Sequence, residues 1–354
     1  MSLTSMLKGK KEIDIELQTI LREIIPSKKD FCTVSGNEAF SSKYSIEAPY
    51  NLNYPQQSSV VGTAFDYMAR FIVAQKINSN KIDVFVDLTA GRGLEIIKRY
   101  CNKKTIRLLE KKFEDGINLV NEFVNNNIKF EKLLLFAVYM ARLEIVYRSG
   151  IPPKDIKSSM LGKEESEIVV DLKQLCEVFI ERFIIPQVIT SNSNVVFNPH
   201  FGVASLSCGG ADADIYIDGT LYDFKTTKAT GYRWQEIAQI FSYYLLNCIA
   251  IDLKDKSAKL DNYEIKRLAF YKARYGEIEY IDISIMETTE MELAVKKINE
   301  LLKISEFSIA RDELPVKLEH YSKSNKKTRI NTFSKVIIMF CVLFVYFLLV
   351  YYEK

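Results

Sequence analysis

The Asp218-Gly219 pair constrains this chain more than any other stretch. Two short alternating runs flank it, and Asp-Gly is a favoured two-residue hairpin loop because both positions accept positive φ. The turn sets a register in which Ile217 faces Thr220, Asp214 faces Asp223 and Asp212 faces Lys225. Side chains alternate along a strand, so Asp212, Asp214, Asp223 and Lys225 share one face, while Ala213, Ile215, Ile217, Tyr222 and Phe224 share the other. A hairpin with one core face and one charged face is therefore expected.

Facing carboxylates on adjacent strands have Cβ atoms roughly 4.5–5.5 Å apart and repel unless a cation lies between them. Hard oxygen donors in this number suit Mg²⁺, with Mn²⁺ as substitute, and leave room for waters and a phosphate. Lys225 points at the same spot, where an ammonium orients an attacking water and offsets charge on a phosphate. Those are the parts of a metal-assisted phosphodiesterase.

Three segments follow one another here: Gly209-Gly210-Ala211-Asp212, Asp223-Phe224-Lys225-Thr226, and Gln239-Ile240-Phe241-Ser242-Tyr243 on an expected helix. In that order they resemble the PD-(D/E)XK nuclease superfamily, closest to its RecB-type exonuclease branch. The resemblance covers a small part of the chain, but three ordered motifs are more specific than one. It implies an α/β fold with a restriction-endonuclease-like αβββαβ core around a mixed central sheet, and Mg²⁺-dependent cleavage of nucleic acid, usually DNA. It also implies that Asp212 or Asp214, with Asp223 and the Phe224 carbonyl, holds the metal. The glycine spacing nominates Asp212 and the hairpin register nominates Asp214; a bulge near the glycines would reconcile the two.

The same resemblance turns Gln239 and Tyr243, four apart on one helix face, toward the phosphates, with Gln239 counted among the catalytic group. Lys228, Arg233 and Trp234 join Lys225 at the corner between hairpin and helix as a basic and aromatic patch for nucleic acid. Four further residues are candidate auxiliaries. Gly62 and Asp66 keep the spacing of the branch's early G-x-x-x-H, with aspartate in place of histidine. Glu177 and Glu181 lie on the helix before the first core strand, where many members carry an extra acid. His200 lies close to the hairpin in sequence.

A net charge of +3 on 354 residues is too small to drive nucleic-acid binding globally, so a local patch has to do it. Six cysteines without a C-x-x-C, and only two histidines, argue against zinc and structural disulfides.

Along the chain, residues 1–57 read as a helix after a basic tract followed by an extended segment over the surface. Residues 58–160 read as a helical subdomain beginning with a serine-capped helix; Gly91-Arg92-Gly93 is read there as a turn and 132–147 as a buried helix. Residues 161–310 hold the nuclease-like core, 311–335 a basic linker, and 336–352 an uncharged apolar run of about 25 Å as a helix. The lysines and arginine before that run place the bulk of the chain in the cytoplasm as a tail-anchored protein, with the membrane as a partner; a C-terminal hydrophobic helix belonging to the fold is the alternative. Two functions are expected to compete. One is a Mg²⁺-dependent nuclease; the other is a membrane-tethered nucleic-acid-binding or interaction protein without turnover.

Overall fold

The structure, a computed structural model, describes residues 2–77, 84–85, 88–306 and 308. Helices α1 (Leu3–Met6) and α2 (Glu12–Ile24) precede a two-residue strand β1 (Cys32–Thr33) and a long helix α3 (Pro55–Lys76). Helices α4 (Thr89–Lys98), α5 (Lys103–Val124), α6 (Leu134–Ser149), α7 (Ile156–Leu161) and α8 (Ser166–Arg182) follow. Then come β2 (Val195–Phe197), α9 (Gly202–Ser207), β3 (Ile215–Ile217), β4 (Thr220–Lys225), α10 (Trp234–Asp252), β5 (Arg267–Lys272), β6 (Glu277–Asp282) and α11 (Thr288–Leu301).

The fold is mixed α/β. Among the described residues six strands form one sheet in the order β1-β6-β5-β4-β3-β2, with β4 and β5 parallel and every other pair antiparallel. The hairpin forms in the expected register: Ile217 pairs with Thr220 and Ile215 with Tyr222, around Asp218 and Gly219 at φ of 44° and 93°. Helix α10 is the crossover that a parallel pair requires. That crossover changes the expected burial, because it covers much of the face expected to be charged. Tyr216 and Leu221 lie on the face of Asp223 and are buried with Phe270 under α2, α10 and α11. On the opposite face Tyr222, Phe224 and Tyr271 meet Phe65 of α3, Phe179 of α8 and Phe183 just after it, mostly edge to face. The hairpin thus has two core faces, and its charges gather only at one end.

One buried cluster runs without interruption from α3, α4 and α6 through α8 into the sheet. The boundary expected at residue 160 therefore crosses a shared core. The segment 31–57 does not simply lie over the surface: β1 pairs with β6, Phe40, Ala48 and Leu52 are buried, and Arg274 donates to the carbonyls of Ala48 and Pro49. Helix α3 begins at Pro55 rather than at a serine, and Gln57 caps it by accepting the Asn53 and Tyr54 N–H groups at 2.8 and 3.0 Å. The expected turn at Gly91-Arg92-Gly93 lies inside α4. Glycine is needed there for close approach, since a Cβ on Gly93 would fall 1.9 Å from the Leu143 carbonyl oxygen of α6.

Among the described residues no helix is long and apolar enough to cross a membrane. The expected linker at 311–335 and apolar run at 336–352 lie outside the described residues.

Candidate functional site

The charged end of the hairpin is built by strand ends. Asp223 and Lys225 stand two apart on β4 and form an ion pair, and Asp223 is only 4% exposed. The Asp223 Oδ2 against which the ammonium lies makes no hydrogen bond of ordinary geometry. Opposite, Asp214 sits at a bend just before β3, and its Oδ2 accepts the Phe224 N–H at 2.5 Å.

This bend, rather than a bulge, separates the two candidate acids. His200 pairs with Asp212 in the same register as Phe197 with Ile215, so no residue has been inserted. Yet Ala213 packs with Ala211 under α10, whereas Ile215 joins the opposite core. The bend leaves Asp214 at the seam between the faces, and Asp212 exposed beyond it. Asp214 is the acid brought against Asp223, as the register requires.

Phe224 supplies a further donor. Residues along a strand turn their N–H and C=O to alternate neighbours. The Lys225 carbonyl accepts from Ala273 on the β5 side and the Phe224 N–H goes to Asp214, so the Phe224 carbonyl turns to the Asp214 side.

Helix α3 adds Asp66, which lines a small cavity of about 10 Å³, room for about one water, with Arg70, Asn198, Asp214 and Phe224. Gly62, one turn earlier, lets α3 pass the Thr226 hydroxyl, which a Cβ would meet at 3.2 Å. The expected glycine-aspartate spacing thus delivers an acid to the site.

From the other side, α10 presents Gln239, whose Nε2 donates to the buried Tyr243 hydroxyl at 2.6 Å. Burial, then the charges of Asp223, Asp214 and Asp212, hold Tyr243 well above the usual phenol range, so it stays a hydrogen-bond donor. Glu236, three residues earlier on the helix, reaches Lys272 at 3.4 Å and adds to the charge around Lys225.

Acid crowding governs the electrostatics. Burial, followed by the Asp223 charge, pushes Asp214 up to about 7 against the Phe224 N–H, Lys225 and Arg148. Asp223 is raised by burial and held back by Lys225. Asp66 is raised well above the ordinary carboxylate range by the enclosing protein and by Asp214, Glu144 and Asp223. Asp66 is itself exposed, so repulsion from the neighbouring carboxylates acts on it whether or not the site is dry. Burial opposes the Lys225 ammonium, but Asp223, Glu236 and Asp214 outweigh it and raise its pKa. At neutral pH Lys225 is charged and has no lone pair with which to take a proton.

The other expected site residues are placed differently. Glu177 and Glu181 are exposed on α8 and pair with Lys173 and Arg182 at 3.5 and 4.0 Å, away from the carboxylate cluster, because the sheet-facing side of that helix is filled by its apolar stripe. His200 Nδ1 accepts the Gly202 N–H at 3.3 Å and so serves its own loop. The corner patch is partly occupied: the Arg22 guanidinium covers Trp234 at 4.1 Å, the Lys228 ammonium lies over Tyr50 at 4.3 Å, and the exposed Arg233 pairs with Glu236 at 3.7 Å.

No family model, curated protein or solved structure matches this chain. Among the described residues no group of three or more His, Cys, Asp or Glu side chains could hold a metal ion. Two carboxylates and a carbonyl remain, a sparse all-oxygen set that suits a cation keeping most of its waters, as Mg²⁺ does. Asp214 is raised by burial and by the Asp223 charge although Lys225 already lies against Asp223, so the two carboxylates carry more negative charge than the one ammonium offsets. The donor set fits a hydrated divalent cation.

Stability should vary with pH accordingly. Asp214 has an ordinary value of 3.8 and about 7 in the fold, so the folded state binds more protons between them. The metal-free protein should lose stability as pH rises from about 4 to 7 and then level off for this group. Melting in EDTA across that range checks the slope. Added Mg²⁺ should raise the midpoint more at pH 8 than at pH 5; an equal shift at both would disconnect the carboxylates from the metal.

Sequence reasoning missed Glu144, Arg148, Glu236 and Tyr67. Only Glu236 carried a signal, its three-residue offset from Gln239 on one helix face.

Proposed function

We propose that the chain is a metal-dependent nuclease of restriction-endonuclease-like fold that hydrolyses phosphodiester bonds, with DNA as the expected substrate. The observation that carries this reading is the convergence of Asp214, Asp223 and Lys225 at one end of a hairpin whose next element is the helix of Gln239 and Tyr243. The order α8, β2, β3, β4, α10, β5, with only the short α9 inserted, supports an αβββαβ core.

Asp214, Asp223 and the Phe224 carbonyl would hold Mg²⁺, which supplies positive charge against the phosphate oxygens. Lys225, fixed by Asp223, orients the attacking water and stabilises charge that develops on phosphorus-bound oxygen. Its raised pKa favours this role over that of a general base. Gln239 and Tyr243 place amide and phenol donors beside the same site.

The test is cleavage of linear duplex, circular and single-stranded DNA across a Mg²⁺ and Mn²⁺ titration, with Lys225→Ala in parallel. Metal-dependent cleavage that falls at least about 10²-fold in the variant supports the reading. Binding without cleavage under either metal would replace it with a binding protein on a nuclease-like fold.

A further inference from the structure

Arg148 occupies the last turn of α6, outside the elements that carry the carboxylates. A cation in a last helical turn is ordinarily explained by the helix dipole alone. Its support here is more than that requires. Glu144, one turn earlier, is only 6% exposed, although a carboxylate is costly to bury. Its Oε2 accepts the buried Tyr67 hydroxyl at 2.5 Å, and its Oε1 accepts Arg148 Nε at 2.7 Å together with Nη2. One edge of the guanidinium fork is therefore pinned. No hydrogen bond among the described residues occupies Nη1, and the side chain is 72% exposed.

Position gives this arrangement its meaning. Tyr67 adjoins Asp66, and Asp66 lines the same cavity as Asp214. The Tyr67–Glu144–Arg148 chain of hydrogen bonds thus ties a positive, half-saturated fork to α3 next to Asp66, and both Asp66 and Arg148 are exposed. The Arg148 charge is felt there by both Asp66 and Asp214. A guanidinium with a free edge matches two phosphate oxygens, and one pinned by a buried acid has little rotamer freedom left to lose.

We propose that Arg148 is a substrate-binding residue that seats a backbone phosphate of the nucleic acid next to the one being cleaved, with Glu144 and Tyr67 as its positioning residues. The helical half of the chain then forms one wall of the substrate groove. This rests on the nuclease reading. It adds a phosphate-binding group from α6 that none of the three motifs predicts.

The experiment measures equilibrium binding of a short fluorescent duplex in EDTA against salt concentration, together with kcat and KM in Mg²⁺. The full chain, Arg148→Ala, Glu144→Gln and, as a control for loss of one remote positive charge, Lys173→Ala are compared. If Arg148 neutralises one phosphate, Arg148→Ala should lower the slope of log K against log salt by about 0.9, and by about 0.7 on a single strand. KM should rise more than kcat falls, Glu144→Gln should show a smaller change in the same direction, and Lys173→Ala should match the parent. An unchanged slope and KM in Arg148→Ala, with the parent still cleaving, would overturn the proposal and leave Arg148 a counter-ion to the carboxylates. A parent chain that shows no metal-dependent cleavage overturns the nuclease reading instead.

Discussion

Asp214→Asn is expected to raise the melting temperature of the metal-free protein and to remove metal-dependent cleavage in the same molecule. The two effects have one cause. The amide oxygen can still accept the Phe224 N–H that Asp214 accepts at 2.5 Å, so the bend before β3 keeps its hydrogen bond. What disappears is a charge that burial and Asp223 oppose, and with it the loss of stability between about pH 4 and 7. Cleavage should fall by at least about 10²-fold, because disturbing residues that merely support a metal's ligands already costs about 10–100-fold. Calorimetry in EDTA at pH 5 and pH 8 reads the first effect and a cleavage assay the second. A variant less stable than the parent at pH 8 would show that Asp214 is a structural acid.

Asp171→Ala is expected to cost about 3–5 kcal/mol, a large share of the roughly 5–15 kcal/mol that hold an ordinary domain. Asp171 on α8 is fully buried; its two oxygens take Arg274 Nη1 and Nη2 at 3.0 and 2.6 Å, and the Asn51 N–H at 2.8 Å. Arg274 is 1% exposed and donates its Nε to the Thr226 carbonyl at 2.8 Å, one residue beyond Lys225. Removing the carboxylate strands a guanidinium in the interior, where the intact pair contributes much less than its rupture costs. Urea unfolding should show a lower midpoint with an unchanged slope. Because the same arginine grips Thr226, the variant should also lose cleavage at temperatures where it remains folded.

The hairpin was legible because its signals are local. A two-residue Asp-Gly loop admits one register, and strict alternation then assigns each side chain a side. The meeting of Asp214, Asp223 and Lys225 follows from those two facts. Burial on both faces was not legible from the hairpin, since it depends on the crossover to β5, and no residue within β3 or β4 encodes that. Asp66 was half legible, through its spacing from Gly62. Arg148 was illegible, because its environment is made by Glu144 and by Tyr67, a partner 77 residues before that glutamate on another helix. Glu177 and Glu181 misled for a related reason: an acid's position on a core helix does not reveal which side of that helix meets the sheet.

The pairing of β1 with β6 sets Cys32 opposite Tyr280. Translation at about 5–20 residues per second separates the synthesis of those two strands by about 10–50 s. Throughout that interval β1 has no edge to join, and Phe40 waits for Phe270, whose ring it will meet 6.3 Å away. The sheet's outer strand is thus among the first pieces made and among the last that can be placed. Its closure depends on a long, late pairing, which folds slowly. On the ribosome, β1 can take its place only once nearly the whole described fold has emerged.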